Sequence, residues 1–390
     1  MFEFTVNVDD LLSVLKVVGN TIGKNTGNTN DDCIEMESTG TGVVFRTNNS
    51  IEYISATVIV GSCSPNGTKA DLVSYDKFSK MISTLPAGQM ITIKNDNNQF
   101  EIIVGKNKPI ILNARSGIFL PLPTMTTQDI VTIPAQEFIN AMTKVSSIIE
   151  TTPTASIYEC VRIATDMQDI DMSALDYNTK RMSSYTMKAT SNNPKTEILI
   201  QGQKFAKHAK MFANAQDIDL AMDPGFVSIK VSNWLPNAAN NVTDIEYYCR
   251  RYSGSFPNNI TQKLSDGFDS CAEVSKEELM CVLSRIQIIE DKSIAPARVK
   301  IHAKGDEMNA SYNTTFGSVN EDISLVQVAK GEINAEFNLS NMIEIINGIT
   351  TSNLQIGKIK AQKGTSYYLI KPDANSNLKF GMSSLVANTP

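Results

Sequence analysis

Two helical patterns recur three times along the chain at nearly constant spacing, and this repeat restricts the possible folds more than any other feature. Apolar stripes at helical spacing begin at Leu11, Phe138 and Leu279 for the first pattern, and at Phe78, Phe205 and Met342 for the second. The step from the first copy to the second is the same for both patterns, and the next step is nearly so. The sequence therefore predicts three copies of one domain within 390 residues.

Short β-type runs lie between and after these helices, separated by turns rich in Asn, Gly and Asp. They include residues 42–47, 90–94, 99–104, 226–231, 244–249 and 367–370. Each copy reads as strand, helix, several strands, helix, several strands, which predicts an α+β domain whose helices cover one face of an antiparallel sheet. We expect the copies to span residues 1–126, 127–268 and 269–390. Ser275 and Glu278 predict a capping box at the start of the fifth helix.

Composition and motif content exclude several classes of protein. The formal net charge of -6, from 35 basic and 41 acidic side chains, argues against a uniformly basic surface but leaves room for a local basic patch. The two histidines, His208 and His302, have no acidic or cysteine neighbours at metal-binding spacing, and the chain has no phosphate-binding GxxxxGK[ST] loop. We therefore predict no catalytic site, no metal and no cofactor.

Targeting signals and cysteine usage favour a cytoplasmic protein. The first ten residues carry acids where a secretory signal would carry basic residues, and no apolar run approaches the roughly 20 residues of a membrane span. The six cysteines are scattered and never form CxxC, so we expect reduced and mostly buried thiols.

Five motifs, spread over nearly the whole chain, occur in an order and spacing typical of one family. They are Met81–Gly88 (MISTLPAG), Asn113–Pro123 (NARSGIFLPLP), Tyr177–Met182 (YNTKRM), Gly254–Pro257 (GSFP) and Phe337–Ile343 (FNLSNMI). Together they resemble the bacterial DNA polymerase III β subunits, or β sliding clamps, including plasmid and phage relatives. The third motif is a diverged form of the family's Thr-Asp-Gly-His-Arg-Leu.

The resemblance implies a non-enzymatic clamp. Such a protein is a head-to-tail homodimer of three-domain subunits that forms a ring around double-stranded DNA, with helices lining the hole and sheets outside. The ring tethers the replicative polymerase without reading sequence, and short peptides of polymerase and clamp loader bind it. The alternative is a diverged clamp-like scaffold that binds replication proteins without encircling DNA.

Basic residues opposite the buried helix stripes are the predicted DNA contacts. At 100° per residue, Lys207 and Lys210 point away from Phe205. The whole predicted set is Lys24, Lys77, Lys80, Lys144, Lys204, Lys207 and Lys210, of which Lys24 is carried over from the resemblance. For any single lysine a solvated helix face is the alternative; the set, in register across copies, favours DNA. His208 is expected to be solvated or to contact phosphate, and Glu344 departs from the basic pattern.

The resemblance also implies a hydrophobic cleft between the second and third copies that holds partner peptides. Carried over position by position, it uses Tyr177, Thr179, Lys180, Arg181, Met182, Pro257, Gln262, Gly381, Met382 and Leu385. Arg181 and Pro257 are identical to the family residues, whereas Thr179, Lys180, Gln262 and Gly381-Met382 depart from them. Methionines suit an adaptable groove, but ordinary core packing is the alternative explanation for Met182 and Met382.

Overall fold

The computed structural model describes most of the chain. The described ranges are residues 1–23, 30–117, 119–125, 130–149, 157–176, 178–179, 181–231, 242–257, 267–293, 296–359, 366–372 and 377–385, with backbone only for 190–194.

Six α-helices occur in these ranges, and they lie where the two repeated patterns predict them. They are α1 (Val8–Val18), α2 (Tyr75–Ser83), α3 (Ala135–Ser146), α4 (Gly202–Ala209), α5 (Lys276–Ile288) and α6 (Leu339–Gly348). The stripe residues, such as Leu11, Phe138 and Leu279, are all buried apart from half-buried Leu85, which lies past the end of α2. The predicted order of two helices per copy is confirmed.

The strands connect and flank these helices in the predicted order. They are β1 (Phe2–Asn7), β2 (Cys33–Ser38), β3 (Gly42–Asn48), β4 (Glu52–Ile59), β5 (Ser62–Cys63), β6 (Val73–Ser74), β7 (Met90–Asp96), β8 (Gln99–Val104), β9 (Ile110–Asn113), β10 (Ile130–Pro134), β11 (Cys160–Asp176), β12 (Arg181–Gln201), β13 (Asp217–Met222), β14 (Phe226–Val231), β15 (Val242–Arg250), β16 (Phe268–Ser275), β17 (Arg298–Lys304), β18 (Glu307–Thr314), β19 (Gly317–Asp322), β20 (Leu325–Lys330), β21 (Glu332–Asn338), β22 (Asn353–Ile359), β23 (Tyr367–Lys371) and β24 (Leu378–Ser383). The ladders resolved between them are antiparallel, as the α+β prediction requires.

The first of two compact units comprises Met1–Ile139, Ala189–Pro194 and His208–Arg251. It holds a five-stranded sheet in the order β5-β1-β7-β8-β9 and an eight-stranded sheet in the order β10-β13-β14-β15-β4-β3-β2-β6. In the larger sheet, β4 of the first copy pairs with β15 of the second, and Glu52 lies opposite Cys249. We name this ladder the first joint.

The second unit comprises Asn140–Lys188, Lys195–Lys207 and Tyr252–Pro390. It holds a seven-stranded sheet in the order β11-β12-β24-β23-β22-β16-β20 and a four-stranded sheet in the order β19-β18-β17-β21. Here β12 of the second copy pairs with β24 of the third, and Arg181 lies opposite Met382. We name this ladder the second joint; it repeats the strand pairing of the first.

The start of α5 carries only half of the predicted capping box. The Ser275 side chain accepts the backbone N–H of Glu278 at 3.4 Å, as an N-cap does. The Glu278 carboxylate, however, accepts the backbone N–H and the hydroxyl of Ser324, at 2.9 and 3.0 Å. The glutamate therefore ties the helix to the segment before β20 instead of closing the box.

Candidate functional site

Helix α4 and the turn after it present the most strongly basic face among the helices of the described ranges. Lys207 and Lys210 are exposed and Lys204 is half-buried, while the opposite stripe, led by Phe205, is buried. Residues 202–212 contain no aspartate or glutamate. A face with unbalanced lysines on long flexible side chains suits loose contact with phosphates.

The other predicted DNA contacts are more dispersed. Lys77 and Lys80 are exposed on α2, but Lys80 forms an ion pair with Asp76 at 2.8 Å. Lys144 is half-buried in the last turn of α3. Lys24 lies outside the described residues.

The expectation that His208 is solvated is wrong. Its side chain is buried in the first unit, and Nδ1 lies 2.8 Å from Glu52 Oε1. The Tyr247 hydroxyl donates to the same oxygen at 2.5 Å, and burial raises the pKa of Tyr247 well above its usual value, so the hydroxyl keeps its proton. At 100° per residue, position 208 lies 60° from Phe205 around the helix, on the side of the buried stripe. This angle could have predicted from the sequence that His208 is buried.

Arg181, the first residue of β12, is buried on the helix side of the second joint, where a bound peptide could not reach it. Its guanidinium donates to Thr179 Oγ1 at 2.8 Å, to the Ile148 carbonyl at 3.2 Å and to Asp176 at 3.3 Å, and it also pairs with Glu344 of α6. The acid that interrupts the basic helix pattern is therefore the partner of Arg181. Direct contact between Arg181 and a bound peptide, as the resemblance implies, is not supported by this placement.

The two predicted cleft methionines lie on opposite faces of the seven-stranded sheet. Met182 is paired with Gly381, whereas Met382 is paired with Arg181, and neighbouring residues on a strand point to opposite faces. The Arg181 face is the helix side, because the Ser183 hydroxyl on that face donates to the Val145 carbonyl of α3 at 2.7 Å. Met382 is therefore core beneath the helices, and the assignment of both methionines to one cleft is wrong.

Met182 belongs to an apolar cluster on the other face, which we name the Met182 cluster. Its buried members are Cys160, Leu175, Met182, Leu199, Phe256, Ile359 and Leu369, and Ile157, Tyr158, Tyr252, Phe268 and Tyr367 pack against them while partly exposed. Burial raises the pKa of the Cys160 thiol to about 12, so this cysteine is an unreactive packing residue. The Lys371 ammonium lies 4.6 Å from the centre of the Phe268 ring at the rim.

The structure describes some of the remaining predicted cleft residues. Pro257 is half-buried and directly follows Phe256 of the Met182 cluster. Leu385 is half-buried and donates its backbone N–H to the Glu336 carbonyl at 2.8 Å. Tyr177, Lys180 and Gln262 lie outside the described residues.

The described ranges contain no candidate metal site and no candidate membrane span. No group of three or more His, Cys, Asp or Glu side chains there is arranged to hold a metal ion. No helix in those ranges is long and apolar enough to cross a membrane.

Comparison with known proteins identifies the fold. The family model described as DNA polymerase III beta subunit, N-terminal domain, matches residues 129–236, which lie in the second copy. The DNA polymerase sliding clamp from Bacillus subtilis superposes with a TM-score of 0.82 at 18% identity, covering 99% of each chain. The sliding clamp from Pseudomonas aeruginosa with ligand gives 0.84 at 12% identity, covering 99% of this chain and 100% of that one.

A beta subunit of DNA polymerase III from Thermotoga maritima gives a TM-score of 0.80 at 16% identity, covering 99% of this chain and 100% of that one. A comparison with curated proteins found no match. The match of an N-terminal domain model to the second copy is consistent with copies that share one fold. As the motif resemblance predicted, the chain has the fold of the bacterial DNA polymerase III β sliding clamps, and residues 129–236 match the family model of the N-terminal domain of the β subunit.

Proposed function

We propose that the protein is a DNA sliding clamp: a homodimeric ring that encircles duplex DNA and tethers the replicative polymerase. The observation that carries the proposal is the match of the fold to sliding clamps over almost the entire chain. The subunit consists of copies 1–126, 127–268 and 269–390, acts in the cytoplasm and has no catalytic site of its own. It binds DNA without sequence preference.

The pairing of strands inside the chain supports a head-to-tail dimer. Each joint pairs a strand from the middle of one copy with the last strand of the next copy. The middle strand is β4 in the first copy and β12 in the second, and each begins just after a turn. In the third copy the equivalent of β4 and β12 is β19, and the last strand of the first copy is β9. Both are edge strands of their sheets. The same rule therefore pairs β19 of one subunit with β9 of its partner, and two such joints close a dimer.

Side chains near these two edges are complementary. Ile111 on β9 is 52% exposed, and Phe316 and Ile288 near β19 are 72% and 81% exposed. Large apolar side chains at an unpaired strand edge are typical of an interface. The turn before β9 carries exposed Lys106 and Lys108, whereas β19 ends in Glu321 and Asp322.

The lysines are assigned to DNA in this proposal. Lys204, Lys207 and Lys210 of the α4 face contribute most, with Lys24, Lys77, Lys80 and Lys144 as weaker contacts. Such contacts depend on phosphate charge and release counterions, so binding falls steeply with salt and carries no sequence information.

The Met182 cluster is assigned to partner peptides of polymerase and clamp loader. Its partly exposed aromatic rim gives an apolar surface of the kind that holds short extended segments. Met182 is a member of the cluster and Pro257 directly follows its member Phe256. Tyr177, Thr179, Lys180, Gln262 and Leu385 remain predicted contacts. Arg181 and Met382 support the site from the helix side.

Retention on circular DNA tests the proposal. After loading onto nicked circular DNA, the protein should stay bound through gel filtration and leave when a restriction enzyme cuts the circle. Light scattering should report a dimer at micromolar concentration. Equal loss from intact and cut circles would contradict encirclement and would leave a clamp-like scaffold that binds replication proteins.

A further inference from the structure

The two joints share a second feature on their helix sides: a polar contact between a buried strand residue of one copy and a helix residue of the next. Glu52 and Arg181 are each the first residue of their strand, β4 and β12. Glu52 contacts His208 of α4, and Arg181 contacts Glu344 of α6. Because α4 and α6 are the second helices of successive copies, the two contacts occupy equivalent places.

The polarity of these contacts is reversed. At the first joint the strand supplies the acid and the helix supplies the imidazole; at the second joint the strand supplies the cation and the helix supplies the acid. Glu52 is 1% exposed and Arg181 is 4% exposed, so neither charge has water as an alternative partner. A buried charge that loses its partner is strongly destabilising, because its attraction to that partner no longer offsets the cost of removing it from water.

Three copies of one fold in one chain create a pairing problem. The backbone geometry that joins β4 to β15 also joins β12 to β24, so the backbone alone does not distinguish a correct joint from an exchanged one. In an exchanged joint, Glu52 would face the carboxylate of Glu344. Arg181 would face His208 and would lose the carboxylate that pairs with it at the correct joint.

We propose that the reversed polarity of the Glu52–His208 and Arg181–Glu344 pairs determines which copy joins which during folding and assembly. The correct joints pair complementary groups, whereas one exchanged joint sets the buried Glu52 against a second carboxylate and the other leaves the buried Arg181 without an acid. Specificity of this kind comes from the penalty on the wrong partner as much as from the attraction of the right one. The inference depends only on the strand pairing and the contacts, and it holds whether or not the protein encircles DNA.

Charge exchange at one joint, and then at both, tests the proposal in the full chain. The one-joint variant E52K/H208E gives the first joint the polarity of the second. The two-joint variant adds R181E/E344K, with D176N so that the new glutamate does not face Asp176, and D176N alone is the matched control. Each protein is unfolded in urea and refolded at micromolar concentration. Size-exclusion chromatography with light scattering then measures the fraction that returns to the native mass.

The proposal predicts a non-monotonic series. The one-joint variant should lose several-fold in native yield and gain larger species, because both joints then have the same polarity. The two-joint variant should regain most of that yield, although it carries every substitution of the one-joint variant. A purely structural role predicts the opposite, since disturbing the second joint adds damage. Wild-type yield from the one-joint variant, or a two-joint yield no higher than the one-joint yield, would overturn the proposal.

If the one-joint variant gives no native protein, the comparison with the two-joint variant still decides. The charge-free variant E52Q/H208Q provides a further check, because it removes attraction and repulsion together. Its native yield should fall between those of wild type and E52K/H208E. A yield as low as that of E52K/H208E would mean that loss of the buried contact, not its polarity, controls assembly.

Discussion

The two joints share one backbone plan and differ in what their side chains do with it. On the face away from the helices, the first joint places Tyr53 opposite Tyr248, and Tyr53 packs edge-on against Phe226 at 6.1 Å. The second joint places Met182 opposite Gly381 at the corresponding register. The first joint thus has an aromatic face that its own tyrosines fill. The second joint has the Met182 cluster, whose rim is partly exposed. With the peptide assignment proposed above, a few side chains are enough to give a duplicated strand pairing a partner site, without a new fold.

The helix sides of the two joints also share a backbone plan and differ in their side chains, here in the charge that each strand supplies. The first joint buries an acid on its strand, held by His208, the Tyr247 hydroxyl and the Asn49 amide, whereas the second buries a cation held by four acceptors. The Arg181 network involves more elements, since it joins the end of α3, the turn before β12 and α6. We therefore expect the second joint to be the more sensitive of the two to loss of its central residue.

The largest effect is expected from Arg181→Met. Removal of the guanidinium leaves Asp176, which is buried, without its cation, and should lower the free energy of unfolding by about 3–5 kcal/mol. Urea denaturation followed by circular dichroism measures the change. Glu344→Gln is the matched control: because Glu344 is half-exposed and keeps a hydrogen-bonding amide, its cost should be about 1 kcal/mol or less. Equal costs would show that Arg181 acts only through Glu344.

The next effects separate the two methionines of the second joint. Met182→Ala and Met382→Ala should each cost about 2–5 kcal/mol, because both side chains are 2% exposed. Only Met182→Ala should weaken binding of a fluorescent peptide from a replicative polymerase, the partner proposed for this surface, since Met382 lies on the helix side. Fluorescence anisotropy, at a temperature where both variants remain folded, measures the affinity. Equal loss of affinity in both variants would contradict the assignment of the peptide to the Met182 face.

A smaller effect is expected at the first joint from Tyr247→Phe. The change removes one of the donors to the buried Glu52 carboxylate and should cost about 1–3 kcal/mol. Tyr248→Phe is its neighbour and control, because the half-buried Tyr248 hydroxyl donates to Glu246 near the surface at 3.1 Å. Thermal unfolding should show a clear shift for the first variant and little for the second. The reverse order would mean that Glu52 is held mainly by His208.

Sequence periodicity predicted the parts of the fold that depend on local pattern. The helix stripes at Leu11, Phe138 and Leu279 are buried, and strands such as 99–104 match, because a residue's face within one element follows from its spacing. His208 also followed that pattern, but the lysines around it suggested a solvated face.

The sequence could not reveal what depends on long-range register. The partner of Glu52 lies 156 residues away, and the partner of Arg181 lies 163 residues away. Whether Met382 faces the same way as Met182 is decided by how β24 pairs with β12, and a shift of one residue reverses the answer. A motif carried over position by position predicts which strand holds Met382 but not which face of the sheet its side chain lies on. For that reason the predicted cleft wrongly includes Met382.

The smallest effect on stability, and a specific one on DNA, is expected from the double variant Lys207→Ala and Lys210→Ala. Both side chains are exposed, so the free energy of unfolding should change by less than about 0.5 kcal/mol. Removal of two phosphate contacts should weaken DNA binding and flatten its dependence on salt, by roughly 0.9 units in the logarithmic slope per lost contact. Titration of fluorescent duplex DNA at several salt concentrations measures that slope. Lys300→Ala with Lys304→Ala is the matched control, because these exposed lysines lie on β17, which is assigned neither to DNA nor to the subunit joint. An unchanged slope in the first pair would remove the α4 face from the DNA site.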